Sequence, residues 1–125
     1  MVKVKSSIKI NKQKVKEIEA ATLKSLEQTA HATNGALMAN GYIPFDQGTL
    51  QNEGTFVDNK ELDKGKVSIV SSTPYARRIY YNADGFNFQT VNNANAQDHW
   101  FEPFISGKDK DFIEESFKKF MKRNL

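Results

Sequence analysis

Lys66–Tyr81, KVSIVSSTPYARRIYY, decides the fold when it is set beside its upstream partner Phe45–Val57, FDQGTLQNEGTFV. Val67, Ile69 and Val70 are β-formers, and Val67 and Ile69 alternate with Lys66 and Ser68, the period of a half-buried strand. Thr73-Pro74 then breaks the ladder, because proline has no N–H to donate. Upstream, Asp46-Gln47-Gly48 is turn chemistry and Thr49-Leu50 opens a second strand, with Gly54 a candidate bulge. Asp58, Asn59, Asp63 and Gly65 form a polar turn between the two. Residues 49–57 and 66–72 are therefore expected to pair as an antiparallel hairpin with a long loop.

Working outward, residues 2–10 alternate Val2, Val4, Ile8 and Ile10 with lysines, a strand pattern or a basic arm. Six lysines precede the first acidic residue, Glu17, which suits either a phosphate-touching arm or an edge strand guarded against aggregation. Asn11 is a good N-cap for a helix over 12–33. Val15, Ile18, Thr22, Leu26 and Ala30 make its apolar stripe, with Leu23 beside it. Asn34-Gly35 is positioned to stop the helix, and Asn40-Gly41 ends any extension. Tyr42-Ile43-Pro44-Phe45 reads equally as a contact surface or a lid on the core.

Downstream, Tyr75–Tyr81 fits a strand or a single helical turn. Clustered tyrosines beside Arg77 and Arg78 have the composition of an interface centre, of a core edge, or of a stacking platform for single-stranded nucleic acid. Asn82-Ala83-Asp84-Gly85 is a turn, and Phe86, Phe88 and Thr90 suggest a further strand, so antiparallel strands are expected across 49–90. Asn92, Asn93 and Asn95 mark a polar loop that could reach outward or simply be solvated. Asp98, His99 and Glu102 lie close in sequence, yet Trp100, Phe101 and Phe104 read as core anchors and no acid–base or metal partner is evident from spacing. Residues 109–124 form the cleanest helix, with Phe112, Ile113, Phe117, Phe120 and Met121 on one stripe. Acids crowd its start and bases its end, matching the helix dipole. The sheet is the expected partner of that stripe.

The expected architecture is one α+β domain over 1–125, an antiparallel β-sheet packed against an N-terminal and a C-terminal helix. Hydrophobic content of 38% with 26% charged residues is globular rather than disordered. With no cysteine, disulfides and thiolate metal sites are excluded. No apolar run approaches the roughly 20 residues of a membrane span, and the basic, alternating start lacks the apolar run of a secretory signal. A net charge of +3 permits contact with nucleic acid without arguing for it.

The order Asp46-x-Gly48-x-Leu50, strand, charged turn, strand, Pro74-Tyr75-Ala76, Tyr80-Tyr81, Trp100 and a final helix resembles the neck proteins of long-tailed bacteriophages. These are the small head-to-tail joining or tail-completion proteins, often labelled minor capsid proteins. The resemblance covers Asp46 to Leu125 and rests on order and spacing. Gln47 stands where that family tends to have Thr, and Tyr81-Asn82 where it tends to have Glu and a small residue. The resemblance implies a non-enzymatic virion protein of the neck, built in the host cytoplasm. It implies a homo-oligomeric ring, a hexamer, between portal-side and tail-side neighbours, with DNA only as passing cargo. Ring closure requires a heterologous interface. Tyr75, Arg77, Arg78, Tyr80 and Tyr81 are the residues expected on one side of it, with Asp84, Asn92, Asn93 and Asn95 reaching neighbours. No catalytic residue, cofactor, metal or membrane contact is expected. The alternative from the residues is a small nucleic-acid-binding module using the lysine-rich arm and the Tyr/Arg cluster.

Overall fold

The first helix, α1, spans Lys12–Ala39, and Asn11 starts it as the cap, its side-chain oxygen accepting from the Lys14 N–H at 3.0 Å. The computed structural model describes residues 8–44, 54–85, 87, 88, 90, 93 and 95–125. Helix α1 does not stop at Asn34-Gly35. Glycine inside a helix costs about 1 kcal/mol. Continuing it places Leu37 in the core at 1% exposure, and full burial of such a side chain is worth about 1.5–3 kcal/mol. The larger effect wins, and the helix ends at Asn40, where Gly41 turns left-handed at φ +66°. A Cβ on Gly41 would also press on Asn93 at 3.3 Å.

The stripe on α1 is only partly the expected one: Ala30 is buried, and Thr22, Leu23 and Leu26 are half-buried. Val15 and Ile18 are exposed, and residues 12–20 are exposed on all sides. The buried positions are Ala21, Ser25, Thr29, Ala30, Thr33 and Leu37. Three of these are hydroxyl residues, and each hydroxyl donates one turn back along its own helix: Ser25 to the Ala21 carbonyl at 2.7 Å, Thr29 to Ser25 at 2.7 Å and Thr33 to Thr29 at 2.8 Å. A hydroxyl satisfied in this way can be buried without an orphaned donor.

After the chain leaves α1, strands β1 (Thr55–Asp58) and β2 (Ser68–Ser71) pair antiparallel, with Thr55 opposite Ser71 and Asp58 opposite Ser68. Ser72 donates to the Gly54 carbonyl at 2.7 Å, so pairing continues past β1 and Gly54 forms no bulge there. The loop between them is the expected polar turn, tightened into one 3₁₀ turn at Leu62–Lys64. Residues 49–53 of the expected first strand, and Asp46, Gly48 and Leu50, lie outside the described residues. Of the amino-terminal strand pattern, residues 1–7 lie outside them too, and Ile8–Ile10 carry no strand.

Strands do not continue to residue 90. Pro74 ends β2's pairing, the Ala76 N–H turns back to the Thr73 carbonyl at 3.0 Å, and Ala76–Tyr81 form a short helix, α2. Ala76 is buried, so Ile79 and Tyr80, three and four residues on, face the same way. Asn82, left-handed at φ 46°, closes α2. Residues 87, 88 and 90 have no strand, and Phe86 lies outside the described residues.

Helix α3 (Glu102–Ile105) is one turn, and Gly107 follows it because a Cβ there would sit 2.7 Å from the Pro103 Cα. Helix α4 (Phe112–Asn124) packs chiefly on α1 rather than on the sheet. The small residues along α1 admit it closely, and Asn124 donates to Ser25 Oγ at 3.0 Å and Gln28 Oε1 at 2.7 Å. The fold is thus α+β, with a two-stranded antiparallel sheet lying against α1 and α4 on α1. A two-stranded sheet is marginal alone. Here Ile69 packs on the cluster of Leu37, Tyr42, Ile43, Ala76, Trp100 and Phe104. Among the described residues no helix is long and apolar enough to cross a membrane.

Candidate docking site

Arg77, Tyr80 and Tyr81 stand three and four residues apart on α2 and so share one side of it. With Ser71, Ala76, Trp100 and Phe101 they line an open groove of about 340 Å³. Trp100 is fully buried beneath it, its indole N–H donating to Ser71 Oγ at 3.2 Å, and Ser71 Oγ lies 2.8 Å from Thr55 Oγ1. Both strands are thereby pinned to the groove's base.

Tyr80 is the hub of the groove. Its ring meets Trp100 edge-on at 4.8 Å and Tyr81 edge-on at 5.3 Å, with His99 at 5.0 Å and Phe101 at 5.6 Å. Each well-placed aromatic pair adds about 0.5–1.5 kcal/mol beyond area burial. Burial pushes the Tyr80 hydroxyl above its ordinary range, and the Glu102 carboxylate adds to the shift. Tyr80 therefore holds the wall, while Tyr81, 60% exposed, and Tyr75, 43% exposed, present aromatic surface outward.

His99 enters the cluster through an unusual backbone. Its φ is +48°, its N–H donates to the Tyr80 carbonyl at 2.9 Å, and its own carbonyl receives the Glu102 N–H at 2.9 Å. Its Nδ1 lies 3.0 Å from Asp98 Oδ1, and Asn82 Nδ2 donates to Asp98 Oδ2 at 3.3 Å. The bond from His99, with Asn82 adding to it, holds the Asp98 carboxyl below its ordinary range. This pair ties the α2 C-terminus to the Trp100 turn. Among the described residues no three His, Cys, Asp or Glu side chains gather as metal ligands.

The structure divides the residues singled out from sequence. Arg77, Tyr80 and Tyr81 come together at the groove, and Tyr75 is exposed at the start of α2 without lining it. Arg78 and Asp84 pair with each other, Nε to Oδ2 at 2.7 Å, and brace the turn after α2. Asn93 does not reach outward: it is buried, and its amide donates to the Ile43 carbonyl at 2.7 Å. Asn95 donates to the Asn40 carbonyl at 2.8 Å and borders a separate hollow of about 470 Å³ beside Tyr42 and Lys108. The Asn95 amide thus serves a carbonyl at the C-cap of α1, where the helix leaves its last carbonyls without donors, and the Asn93 amide holds the segment that follows. Asn92 lies outside the described residues. Sequence reasoning missed Ser71, Asp98 and His99 as neighbours of the cluster. The Trp100 anchor was legible, but its contact with Tyr80 is non-local and leaves no periodic signal.

No family model, curated protein or solved structure matches this chain.

Proposed function

We propose that this chain is a structural subunit of a long-tailed phage neck, joining or completing the head–tail connection as a ring of like copies. The observation that carries the reading is the groove of Arg77, Tyr80, Tyr81 and Trp100, with Tyr81 exposed at its rim. Aromatic side chains and Arg around a well-packed hollow are the composition of interface hot spots. The Pro74-Tyr75-Ala76 and Tyr80-Tyr81 segments that border it also carry the sequence resemblance to neck proteins. On this reading the subunit meets portal-side and tail-side neighbours at the virion's head–tail junction, and DNA passes through the joint.

The test is complementation of tailless heads with purified protein, with light scattering to follow binding. Wild-type protein is expected to bind the heads stably and restore joining, and Arg77→Ala with Tyr81→Ala to reduce joining at least tenfold while leaving the fold intact. Wild-type protein that ignores heads and instead binds DNA in a salt-sensitive way would replace this reading with the nucleic-acid module.

A further inference from the structure

We infer that the projecting start of α1 in one copy seats Val15 and Ile18 in the α2–Trp100 groove of the next copy, an inference that rests on the ring reading above. Four of the large apolar side chains left exposed lie in one short stretch: Ile8 at 90%, Ile10 at 70%, Val15 at 41% and Ile18 at 42%. Val15 and Ile18 are three residues apart and form a ridge, with Glu19 four residues after Val15 on its flank. The α2–Trp100 groove is concave, aromatic and open, with Arg77 exposed at its edge. Ridge and groove wall are both apolar. Glu19 and Arg77 are complementary in charge, and neither pairs with an opposite charge among the described residues.

The contact must be between copies. Helix α1 is continuous from Lys12 to Ala39, and Leu37 near its far end packs with Ala76 and Trp100. From Ile18 to Leu37 a helix rises roughly 30 Å. A chain's own ridge therefore cannot bend back to its own groove. Two different patches at opposite ends of a rigid helix make a heterologous, head-to-tail contact, which closes into a ring when the rotation permits. An amphipathic helix laid into a groove, anchored at three- and four-residue steps, is a common recognition mode.

The chain has no cysteine, so engineered thiols report on this contact without background. Ile18→Cys is mixed with Tyr81→Cys, both at high concentration and on completed heads, and disulfide-linked species are counted. Heterodimer is expected at least tenfold above either homodimer and above an Ile18→Cys and Lys119→Cys control. A charge swap gives an independent reading: Glu19→Arg and Arg77→Glu each weaken self-association, and their combination restores it. Ile18→Cys linking mainly to itself, or no heterodimer while wild-type protein joins heads, overturns this contact and leaves the neck reading standing. Wild-type protein that neither binds heads nor self-associates overturns both.

Discussion

Along the α1–α4 seam, Ser25, Thr29 and Thr33 give their hydroxyl protons to carbonyls of their own helix, and Asn124 reaches across to Ser25 and Gln28. Around Tyr80, aromatic rings from α2 and the Trp100 turn meet edge to face, yet Tyr81 remains 60% exposed. The buried hydroxyls of the seam find their partners within the fold. The aromatic cluster is packed on its inner side, where Trp100 is fully buried, and open to solvent at Tyr81 on its outer side. On the proposed reading, the difference separates a contact that makes the fold from one that a partner would complete.

The sharpest way to break this comparison is Trp100→Ala. Trp100 is fully buried and holds Ser71, so its loss is expected to cost about 3–5 kcal/mol in denaturant unfolding. A loss under about 1 kcal/mol would mean the cluster is not part of the core. Ser25→Leu probes the seam, where overpacking against α4 is expected to cost about 1–3 kcal/mol. Thr29→Val, which keeps the shape and removes only a self-satisfied hydroxyl, is expected to stay within about 1 kcal/mol of wild type.

Much of the fold was legible because it is local chemistry. The Asn11 cap, the β1–β2 pairing and the Asn82–Gly85 turn each depend on a few adjacent residues. The buried face of α1 was only partly legible. Val15 and Ile18 carry the hydropathy, while Ser25, Thr29 and Thr33 look polar until their back-bonding is seen. Likewise the PYARRIYY segment marked the groove's outer wall, but Asp98 and His99 join it only through tertiary contact. The Asn-rich loop misled because asparagine is common both in projecting loops and as a side-chain donor to backbone carbonyls, and only the long-range bonds of Asn93 to Ile43 and of Asn95 to Asn40 tell them apart.

Smaller effects follow with pH. Tyr42 donates to Asp109 Oδ2 at 2.6 Å, and burial, with that bond, holds its hydroxyl above the ordinary 10.0. Above that value the unfolded chain releases this proton before the folded one, so the contribution is full below it and declines as pH rises. Tyr42→Phe is expected to cost about 1 kcal/mol at neutral pH and to flatten the alkaline loss of stability, read from unfolding midpoints against pH. Asp98 has the opposite sign. Its carboxyl is held below 3.8, so its contribution is present above that value and fades as pH falls through the folded value. Its side chain is 43% exposed, so solvent screens the effect and Asp98→Asn is expected to change acid stability only slightly.

The most direct test of the central claim is head joining by Arg77→Glu, measured beside its unfolding midpoint. Arg77 is exposed, so stability is expected to move by no more than about 0.5 kcal/mol while joining falls at least tenfold. Wild-type joining by a protein with a reversed charge at the groove's edge would contradict the claim that this groove is where partners dock.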